Sequence, residues 1–373
     1  MNKTNNLIFA LEQNYDTNTL ERRNELPFDY FNWGRDPRHA MDNNEILGSM
    51  PEVKNLIKRH VKRLFNFFQE RFMARSFYKN QIKKFNDFDE TYQLMSDENS
   101  KRLFSQLLSM KVLGEKSYRI DAFDKDFVAS YENASKEILN SSEKLRVYKW
   151  ELRKVFIEQL GIKIFTGPDM LNLVLRNRLY SYYQENVSID MVEGDVVIDC
   201  GVGWGDSTAC FAAKVGETGQ VHCFELNQEG LDVLSTQIDV SGANLKIFPN
   251  RLAVSDTDNE EIFVGEASPS TTITENLKEG SSVYTTKIDT YASKANLEKI
   301  DFIKMDIEGA EIPALIGASD SIAKFKPKLA ISVYHKWDDL KEIPKLINSI
   351  RDDYEYYLDC TTGFGGEAVL YCK

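Results

Sequence analysis

The sequence predicts an α/β protein, in which a doubly wound parallel sheet over residues 186–373 follows a mainly α-helical domain over residues 1–185. Two observations carry this prediction. After residue 190, short apolar runs rich in β-branched side chains alternate with amphipathic helical patterns, which is typical of a parallel sheet. Before residue 190, apolar residues recur at three- and four-residue steps, and strand patterns of comparable strength are missing.

Length and composition set the outer bounds. A chain of 373 residues is long for one domain, and a hydrophobic content of 42% is sufficient for a buried core. No apolar run reaches the length of a membrane span, and the first residues hold too short an apolar stretch for a signal peptide. The five cysteines are spaced as neither a zinc site nor a redox pair, so we expect buried, reduced thiols and a cytoplasmic protein.

Charge is divided unevenly along the chain. Residues 1–190 contain 30 Lys and Arg against 27 Asp and Glu, whereas residues 191–373 contain 16 against 31. A protein that binds nucleic acid usually surrounds its site with positive charge. We therefore expect no nucleic-acid partner.

The stretch DVVIDCGVGWGD, residues 195–206, organises the C-terminal half. Its β-branched run reads as a buried strand, glycines follow at every second position, and Asp206 begins a helical pattern. A strand, a glycine turn and a helix N-terminus together form a binding site for a nucleotide-like ligand, because glycines let the backbone approach it and free N–H groups point at it. A purely structural tight turn is the alternative.

The ligand is indicated by the acidic residues around this turn. The dinucleotide fingerprint would require glycine at position 206, and the carboxylate of Asp206 would repel a pyrophosphate. Asp199, just before the glycines, suits a ligand with an ammonium and a sulfonium group, as in S-adenosylmethionine. Glu225, at the end of the next predicted strand, can accept hydrogen bonds from two ribose hydroxyls.

Four helices are predicted in the N-terminal half, over residues 51–72, 96–114, 141–161 and 170–183. Pro51 fits the first turn of the first helix, and Ser96 fits the N-cap of the second. The order of strands in the C-terminal half is clearer. Strands are predicted at residues 196–198, 221–224, 245–248, 302–306, 329–334, 354–358 and 368–371. The last two are expected to pair antiparallel at an edge, and residues 260–291 to form a β excursion.

Five motifs follow one another in the C-terminal half: DVVIDCGVGWGD, VHCFELN, PNRLAVSD, DFIKMDIEGAE and KPKLAISVYHKWDDLKEIPKLI. Together they resemble the motifs of the FkbM-type S-adenosylmethionine-dependent methyltransferases, over nearly all of residues 190–373. Residues 92–114 resemble the helical leader of some bacterial members. Two positions depart from the pattern. Leu226 stands where proline is usual, and Trp204 replaces a smaller residue, which we expect to reshape the methionine end of the pocket.

The resemblance implies a Rossmann-like class I methyltransferase domain that O-methylates a hydroxyl, often of a sugar, in glycan biosynthesis. It also implies a set of cofactor contacts along the motifs. The predicted cofactor-binding residues are Asp199, Gly201, Gly203, Gly205, Asp206, Glu225, Leu226, Asn227, Ala253 and Asp306.

The catalytic prediction rests on strand ends. Ligands of an open α/β sheet bind outside the carboxyl ends of its strands, and Asp306 and His335 each mark the end of a predicted strand. A sugar hydroxyl is so weak an acid that its methylation needs a general base or a metal. We predict His335 as the base and Asp306 as the group that orients the acceptor or stabilises the imidazolium. Lys304 and Glu308 alternate with Asp306 and complete the predicted catalytic set.

Several alternatives stay open from the sequence. An Asp/Glu/His trio can also bind Mg²⁺ or Mn²⁺, which is the less favoured reading beside the general base. A nicotinamide-dependent enzyme and a non-catalytic partner that binds S-adenosylmethionine are the alternative functions. The predicted partner is a sugar or glycan acceptor, and the helical domain is assigned to acceptor recognition or to homodimer formation.

Overall fold

The computed structural model describes residues 7–8, 10–11, 83–113, 120–121, 125–147, 150–176, 178–184, 186–264, 281–362 and 366–373. The chain divides into two compact units. One comprises residues 1–89 and 105–119, and the other comprises residues 90–104 and 120–373. The strands described below all lie in the second unit.

Residues 7–8 and 10–11 are helical, and a 3₁₀ helix at Lys83–Phe88 is followed by ten α-helices with defined bounds within the described residues. They are α1 (Asp89–Leu94), α2 (Glu98–Leu113), α3 (Lys125–Asn140), α4 (Pro168–Leu175), α5 (Asp206–Val215), α6 (Gln228–Ser241), α7 (Ile288–Lys294), α8 (Glu311–Ile316), α9 (Ser319–Phe325) and α10 (Asp339–Ile350). In the part of the chain that the structure describes, every helix is too short or too polar to cross a membrane. The helix predicted over residues 51–72 lies outside the described residues.

Fifteen strands lie within the described residues. They are β1 (Lys144–Val147), β2 (Trp150–Ile157), β3 (Ile162–Thr166), β4 (Tyr182–Gln184), β5 (Val187–Ile189), β6 (Val196–Cys200), β7 (Gln220–Phe224), β8 (Ile247–Asn250), β9 (Leu252–Val254), β10 (Glu261–Val264), β11 (Ser281–Thr286), β12 (Phe302–Met305), β13 (Lys328–Ser332), β14 (Tyr356–Cys360) and β15 (Ala368–Cys372). All strands predicted after residue 190 are present, with ends shifted by about two residues.

The main sheet has seven strands in the order β14-β15-β13-β12-β6-β7-β8. The strands from β13 to β8 run parallel, and β15 runs antiparallel to both β13 and β14. The predicted doubly wound sheet and its antiparallel edge pair are therefore confirmed. β6 and β12 lie in the middle and are buried along their whole length, as expected for parallel strands covered on both faces.

The prediction of a helix over residues 141–161 is wrong. This segment forms β1 and β2, which continue through a turn into β3 as an antiparallel three-stranded sheet. Gly161 has φ of +66° in the turn, between two runs rich in β-branched and aromatic residues. Those runs and that glycine are the pattern of a hairpin, which the apolar spacing obscured. The helix predicted over residues 170–183 also stops early, at Leu175, and β4 follows it.

The helix predicted over residues 96–114 is confirmed as α2, with a different cap. The carboxylate of Asp97 accepts a hydrogen bond from the backbone N–H of Ser100 at 2.6 Å, which is the role of an N-cap. The hydroxyl of Ser96 instead accepts a hydrogen bond from the backbone N–H of Tyr356 at 2.8 Å. Ser96 therefore joins the start of this helix to the edge strand β14.

The cysteines are free and buried, as predicted: Cys200, Cys210, Cys223, Cys360 and Cys372. The described residues within 260–291 form β10 and β11, which belong to a second small sheet in the order β10-β11-β9, and then the start of α7. The predicted β excursion is therefore confirmed for its described residues, except that its last residues are helical.

Candidate active site

The carboxyl ends of β6, β7 and β12 meet at one edge of the main sheet. Gly201, just after β6, donates a backbone hydrogen bond to Phe224 at the end of β7 at 3.0 Å. Asp306, just after β12, donates one to Cys200 at the end of β6 at 3.1 Å. The polar residues that follow these strands are therefore neighbours, as the sequence predicts.

The glycine turn brings backbone against backbone at Gly201. This residue has φ of +91°, and a Cβ atom there would lie 2.0 Å from the carbonyl oxygen of Asp306. Gly203 is different, because it has φ of +57° and a Cβ atom there would meet nothing within 4 Å. The turn is thus closed on the side of β12 and open at Gly203, where a ligand can approach the backbone. Gly205 follows as the N-cap of α5.

Glu225 links the two sides of the turn. Its carboxylate accepts hydrogen bonds from the backbone N–H groups of Gly203 at 3.1 Å, Leu226 at 2.8 Å and Asn227 at 3.0 Å. Burial raises the pKa of this carboxyl above its ordinary value, against the lowering effect of those bonds. A carboxylate can accept about four hydrogen bonds, so these three leave capacity for a ligand hydroxyl. The open turn and this acid therefore offer a ligand both space and a hydrogen-bond acceptor.

Two further predicted cofactor contacts, Leu226 and Ala253, lie in an apolar cluster. Ala253 lies in β9 and is buried with Val264 and Val283, and Leu226 packs against this cluster. Asn227 is the N-cap residue of α6, where its side chain makes no capping hydrogen bond. Leu226 and Ala253 can therefore offer only apolar surface or backbone groups to a ligand.

Asp199 and Lys304 face each other inside the protein. The ammonium of Lys304 lies 3.1 Å from a carboxylate oxygen of Asp199, and Thr208 donates a hydrogen bond to the other oxygen at 2.6 Å. Lys304 also donates to the carbonyl oxygens of Cys200 and Gly201. Burial alone would lower the pKa of Lys304, but the charges of Asp199 and Asp306 outweigh it and raise the pKa. Lys304 is therefore a buried cation that holds the glycine turn to β12.

The carboxylate of Asp206 is engaged by another element of the fold. This residue is buried at the start of α5, where Thr166 donates a hydrogen bond to its carboxylate at 2.7 Å. Burial raises the pKa of Asp206. Its carboxylate therefore joins β3 to α5. Trp204 likewise packs against the cluster formed by Val147, Leu152, Phe165 and Val233, on the side of the three-stranded sheet.

Asp306 is the centre of a cluster of polar side chains. Tyr180 donates a hydrogen bond to one carboxylate oxygen at 2.7 Å, and Tyr334 donates to the other at 3.1 Å. The imidazole of His335 lies 3.3 Å from the second oxygen. Burial alone would raise the pKa of Asp306, but the charges of Lys304 and His335 outweigh it and lower the pKa. Asp306 is therefore held as a carboxylate.

His335 lies among three carboxylates. Its Nδ1 atom is 2.9 Å from Glu311, and its Nε2 atom is 3.3 Å from Asp306 and 3.6 Å from Glu308. Burial alone would lower the pKa of His335, but these carboxylates outweigh it and raise the pKa to about 9. An imidazole in this setting is protonated near neutral pH. It can act as the predicted base only after that proton has been removed or replaced.

Four residues of this cluster were not predicted: Tyr180, Glu311, Tyr334 and Glu367. Glu311 and Tyr334 lie inside the quoted motifs, so the motifs themselves were the available signal. Tyr180, with φ of +47°, comes from a segment predicted as helix. Glu367 is 3.4 Å from the Tyr334 hydroxyl, and burial together with Asp306 raises its pKa to about 8. Long-range packing alone brings Tyr180 and Glu367 to Asp306.

Residues 199–356 match the family model of the methyltransferase FkbM domain. Among solved structures, the chain is similar to the methyltransferase FkbM from Methylobacillus flagellatus, with 20% identity, a TM-score of 0.41 and coverage of 72% of this chain. The match spans 65% of that protein. A fibrillarin from Aeropyrum pernix with natively bound S-adenosyl-L-methionine matches at 13% identity and a TM-score of 0.33, over 62% of this chain and 98% of its own.

Comparison with curated proteins gave no match. The matched residues contain the glycine turn, Glu225, Asp306 and His335, and they begin at the end of β6 in the middle of the sheet. This match decides against the nicotinamide alternative. The predicted class I methyltransferase fold is confirmed by that match together with the mostly parallel seven-stranded sheet. Residues 199–356 therefore form a methyltransferase domain of the FkbM type.

Proposed function

We propose that this chain is an O-methyltransferase that transfers the methyl group of S-adenosylmethionine to a hydroxyl of a sugar, which is free, nucleotide-linked or part of a glycan. The observation that carries the proposal is the polar cluster around Asp306 beside the glycine turn. Tyr180 and Tyr334 hydrogen-bond to this carboxylate, and His335 lies 3.3 Å from it. Such a group of donors and acceptors suits an acceptor with several hydroxyls.

The proposed cofactor contacts follow the sheet edge. Gly203 allows the backbone to approach the ligand, and Gly201 shapes the turn by packing against the backbone of Asp306. Glu225 accepts hydrogen bonds from the ribose, and Leu226 with Ala253 supplies an apolar wall. When bound, S-adenosylmethionine supplies an electrophilic methyl group on a sulfonium. Asn227 offers backbone groups at the start of α6. We assign Asp199, Gly205 and Asp206 an indirect role, because their contacts shape the turn and the start of α5.

On the acceptor side, Asp306 and His335 are proposed to orient the hydroxyl for in-line transfer, since positioning can lower such a barrier substantially. Glu308 is partly exposed and lies next to His335, where it can contact the acceptor or its counter-ion. We propose Lys304 as a positioning residue because its ammonium is occupied by Asp199 and by two carbonyl oxygens. The acidic character of residues 191–373 favours a neutral acceptor over a polyanion.

Residues before position 186 are proposed to take part in acceptor recognition. Tyr180 supports this assignment, because it reaches Asp306 from outside the domain that the sequence predicts. Homodimer formation by the N-terminal residues is the second role proposed for them, and the oligomeric state in solution tests it.

The test is transfer of an isotope-labelled methyl group from S-adenosylmethionine to a panel of free sugars, nucleotide sugars and oligosaccharides. We expect NMR to detect the label in a methoxy group of one class of sugar. Asp306→Asn should lower the rate by about a hundredfold, because misplacing the acceptor hydroxyl relative to the methyl group costs on this scale. Asp239→Asn, an exposed position on α6, is the matched control and should keep the wild-type rate.

Two results would contradict the proposal. Label on nitrogen or carbon would exclude O-methylation. Tight binding of S-adenosylhomocysteine without transfer to any member of the panel would favour the non-catalytic partner.

A further inference from the structure

We infer that Asp306, Glu308 and His335 bind a divalent first-row cation such as Mn²⁺, with Glu311 holding His335 in place from behind. Binding of the cation is a property of these side chains alone. Its role in the reaction, which is to polarise the acceptor hydroxyl, rests on the proposed function.

The distances around the Nε2 atom of His335 support a cation site. This atom is 3.3 Å from an oxygen of Asp306 and 3.6 Å from an oxygen of Glu308, and it makes no hydrogen bond to any described residue. Two donors that each lie about 2.1 Å from one cation are separated by about 3.0–3.4 Å at the usual coordination angles. The separations are thus long for hydrogen bonds and close to those between ligands of a shared ion.

The other ring nitrogen faces a carboxylate, as the second nitrogen of a metal-bound histidine does, although the contact lacks the alignment of a hydrogen bond. The Nδ1 atom lies 2.9 Å from Glu311, whose same carboxylate oxygen accepts a hydrogen bond from the backbone N–H of Ile307 at 2.9 Å. Histidines that ligate metals almost always direct their second nitrogen at such a carboxylate, which fixes the ring and leaves the first nitrogen for the ion. Glu311 is therefore placed as the residue behind the ligand.

Burial makes the arrangement costly without a cation. The side chains of His335 and Glu311 are 7% and 1% exposed, and Oε2 of Glu311 has no hydrogen-bond partner among the described residues. The Nε2 atom of His335, which faces Asp306 and Glu308, is unpaired in the same way. Because buried polar groups are normally paired, this nitrogen is the atom of the cluster that a cation would satisfy.

The hydrogen bonds to Asp306 are also those expected of a carboxylate that ligates a metal. Carboxylates that ligate metals are themselves hydrogen-bonded, and Tyr180 and Tyr334 fulfil this role at 2.7 Å and 3.1 Å. A site with two carboxylates and one imidazole suits Mn²⁺ better than Mg²⁺, because Mg²⁺ prefers oxygen ligands alone. The general base predicted from the sequence thereby becomes a metal ligand, and the cation takes the place of the proton on His335.

The first experiment uses the wild-type chain after removal of metals, without cofactor or acceptor. Mn²⁺ is added, and pulsed electron paramagnetic resonance is used to detect ¹⁴N coupling from a bound imidazole. We expect one bound ion with ¹⁴N coupling. A wild-type chain that binds no Mn²⁺, or binds it without ¹⁴N coupling, overturns the inference, and this measurement does not depend on the folding of any variant.

Variants then assign the ligands by calorimetry with Mn²⁺. We expect Glu311→Gln to weaken binding by about 10- to 100-fold, the usual effect of a residue behind a ligand, and His335→Ala to weaken it at least as much. Glu308→Gln should also weaken binding, at a partly exposed position. The matched control is Glu298→Gln, which removes an exposed carboxylate outside the site and should leave binding unchanged. Equal affinity in the His335 and Glu298 variants overturns the inference.

Activity separates this inference from the proposed function. Mn²⁺ binding with ¹⁴N coupling but without sugar methylation contradicts the proposed function alone. Full sugar methylation in excess chelator, together with absence of Mn²⁺ binding, contradicts the cation site alone.

Discussion

Lys304 and Asp199 form an ion pair of 3.1 Å in which the two side chains are 2% and 0% exposed. The pair joins the centre of β12 to the strand that precedes the glycine turn, and Lys304 also donates to the turn itself. Two residues that the sequence assigns to catalysis and to the cofactor are therefore structural partners of each other. Their energetic role can be tested by removing one of them.

Lys304→Met should lower the free energy of unfolding by about 3–5 kcal/mol, because it leaves the charge of Asp199 buried and unpaired. Urea denaturation followed by circular dichroism measures this. Lys299→Met is the control, since Lys299 pairs with Asp301 at 2.7 Å while half exposed, and its loss should cost less than about 1 kcal/mol. Adding Asp199→Leu to Lys304→Met should recover stability. Equal costs for the two lysine variants would show that the buried pair has no special role.

Gly203→Ala tests the open side of the glycine turn. A Cβ atom there meets no protein atom within 4 Å, so the variant should lose only about 1–2 kcal/mol of stability for its left-handed backbone. The new methyl group would occupy space proposed for the ligand, and affinity for S-adenosylhomocysteine should fall about tenfold or more, which is about 1.4 kcal/mol. Gly242→Ala has the same left-handed backbone and open surroundings at the end of α6. Unchanged affinity in both variants would remove Gly203 from the proposed site.

Tyr180→Phe tests the contribution of residues before position 186. It removes a hydrogen bond of 2.7 Å to the carboxylate of Asp306, and bonds to charged groups contribute about 1.5–3 kcal/mol. We expect kcat with the identified acceptor to fall about 10- to 100-fold, whereas affinity for S-adenosylhomocysteine stays within about threefold. Tyr183→Phe is the control, because Tyr183 donates to Asp190 and is half exposed. The assignment fails if the two variants have the same kcat.

His222 should make stability depend on pH. Burial lowers the pKa of this imidazole to about 4, against an ordinary value of 6.5. Its Nε2 atom is 3.1 Å from the side-chain oxygen of Gln220, which can only accept, so Nε2 carries the proton and Nδ1 accepts from Tyr291 at 2.9 Å. The neutral form is therefore the one that the folded protein accommodates.

Between pH 6.5 and 4 the unfolded chain binds a proton at His222 and the folded chain does not. The contribution of neutral His222 to the free energy of unfolding is therefore complete above pH 6.5 and decreases as the pH falls. The contribution is at most about 3 kcal/mol. His222→Gln cannot titrate, so the stability difference between wild type and variant should shrink over this range. Urea denaturation at several pH values measures it. A constant difference from pH 7 to pH 4 would contradict the assignment.

The sequence by itself determined the elements whose signals are local. The buried run before Asp199, the glycine turn and the helix after it are adjacent in the chain, and their pattern alone predicts a strand, a turn and a helix. The gathering of Glu225 and Asp306 at one sheet edge was also predictable, because the carboxyl ends of parallel strands meet there. The helix prediction for residues 141–161 failed, because the apolar spacing there fits the period of a helix as well as that of a strand. Strand pairing across the turn at Gly161 decided between the two.

Only the tertiary structure decided which polar groups pair. Lys304 and Asp199 are 105 positions apart, Tyr180 and Asp306 are 126 positions apart, and neither partner has a local signal that names the other. The charge state of His335 depends on Glu311, Asp306 and Glu308, which the turn after β12 brings around one ring. Electrostatic roles depend on distance and burial, and both arise from packing between segments remote in sequence. Motifs can therefore locate a reactive edge, but folding assigns each charged residue its partner.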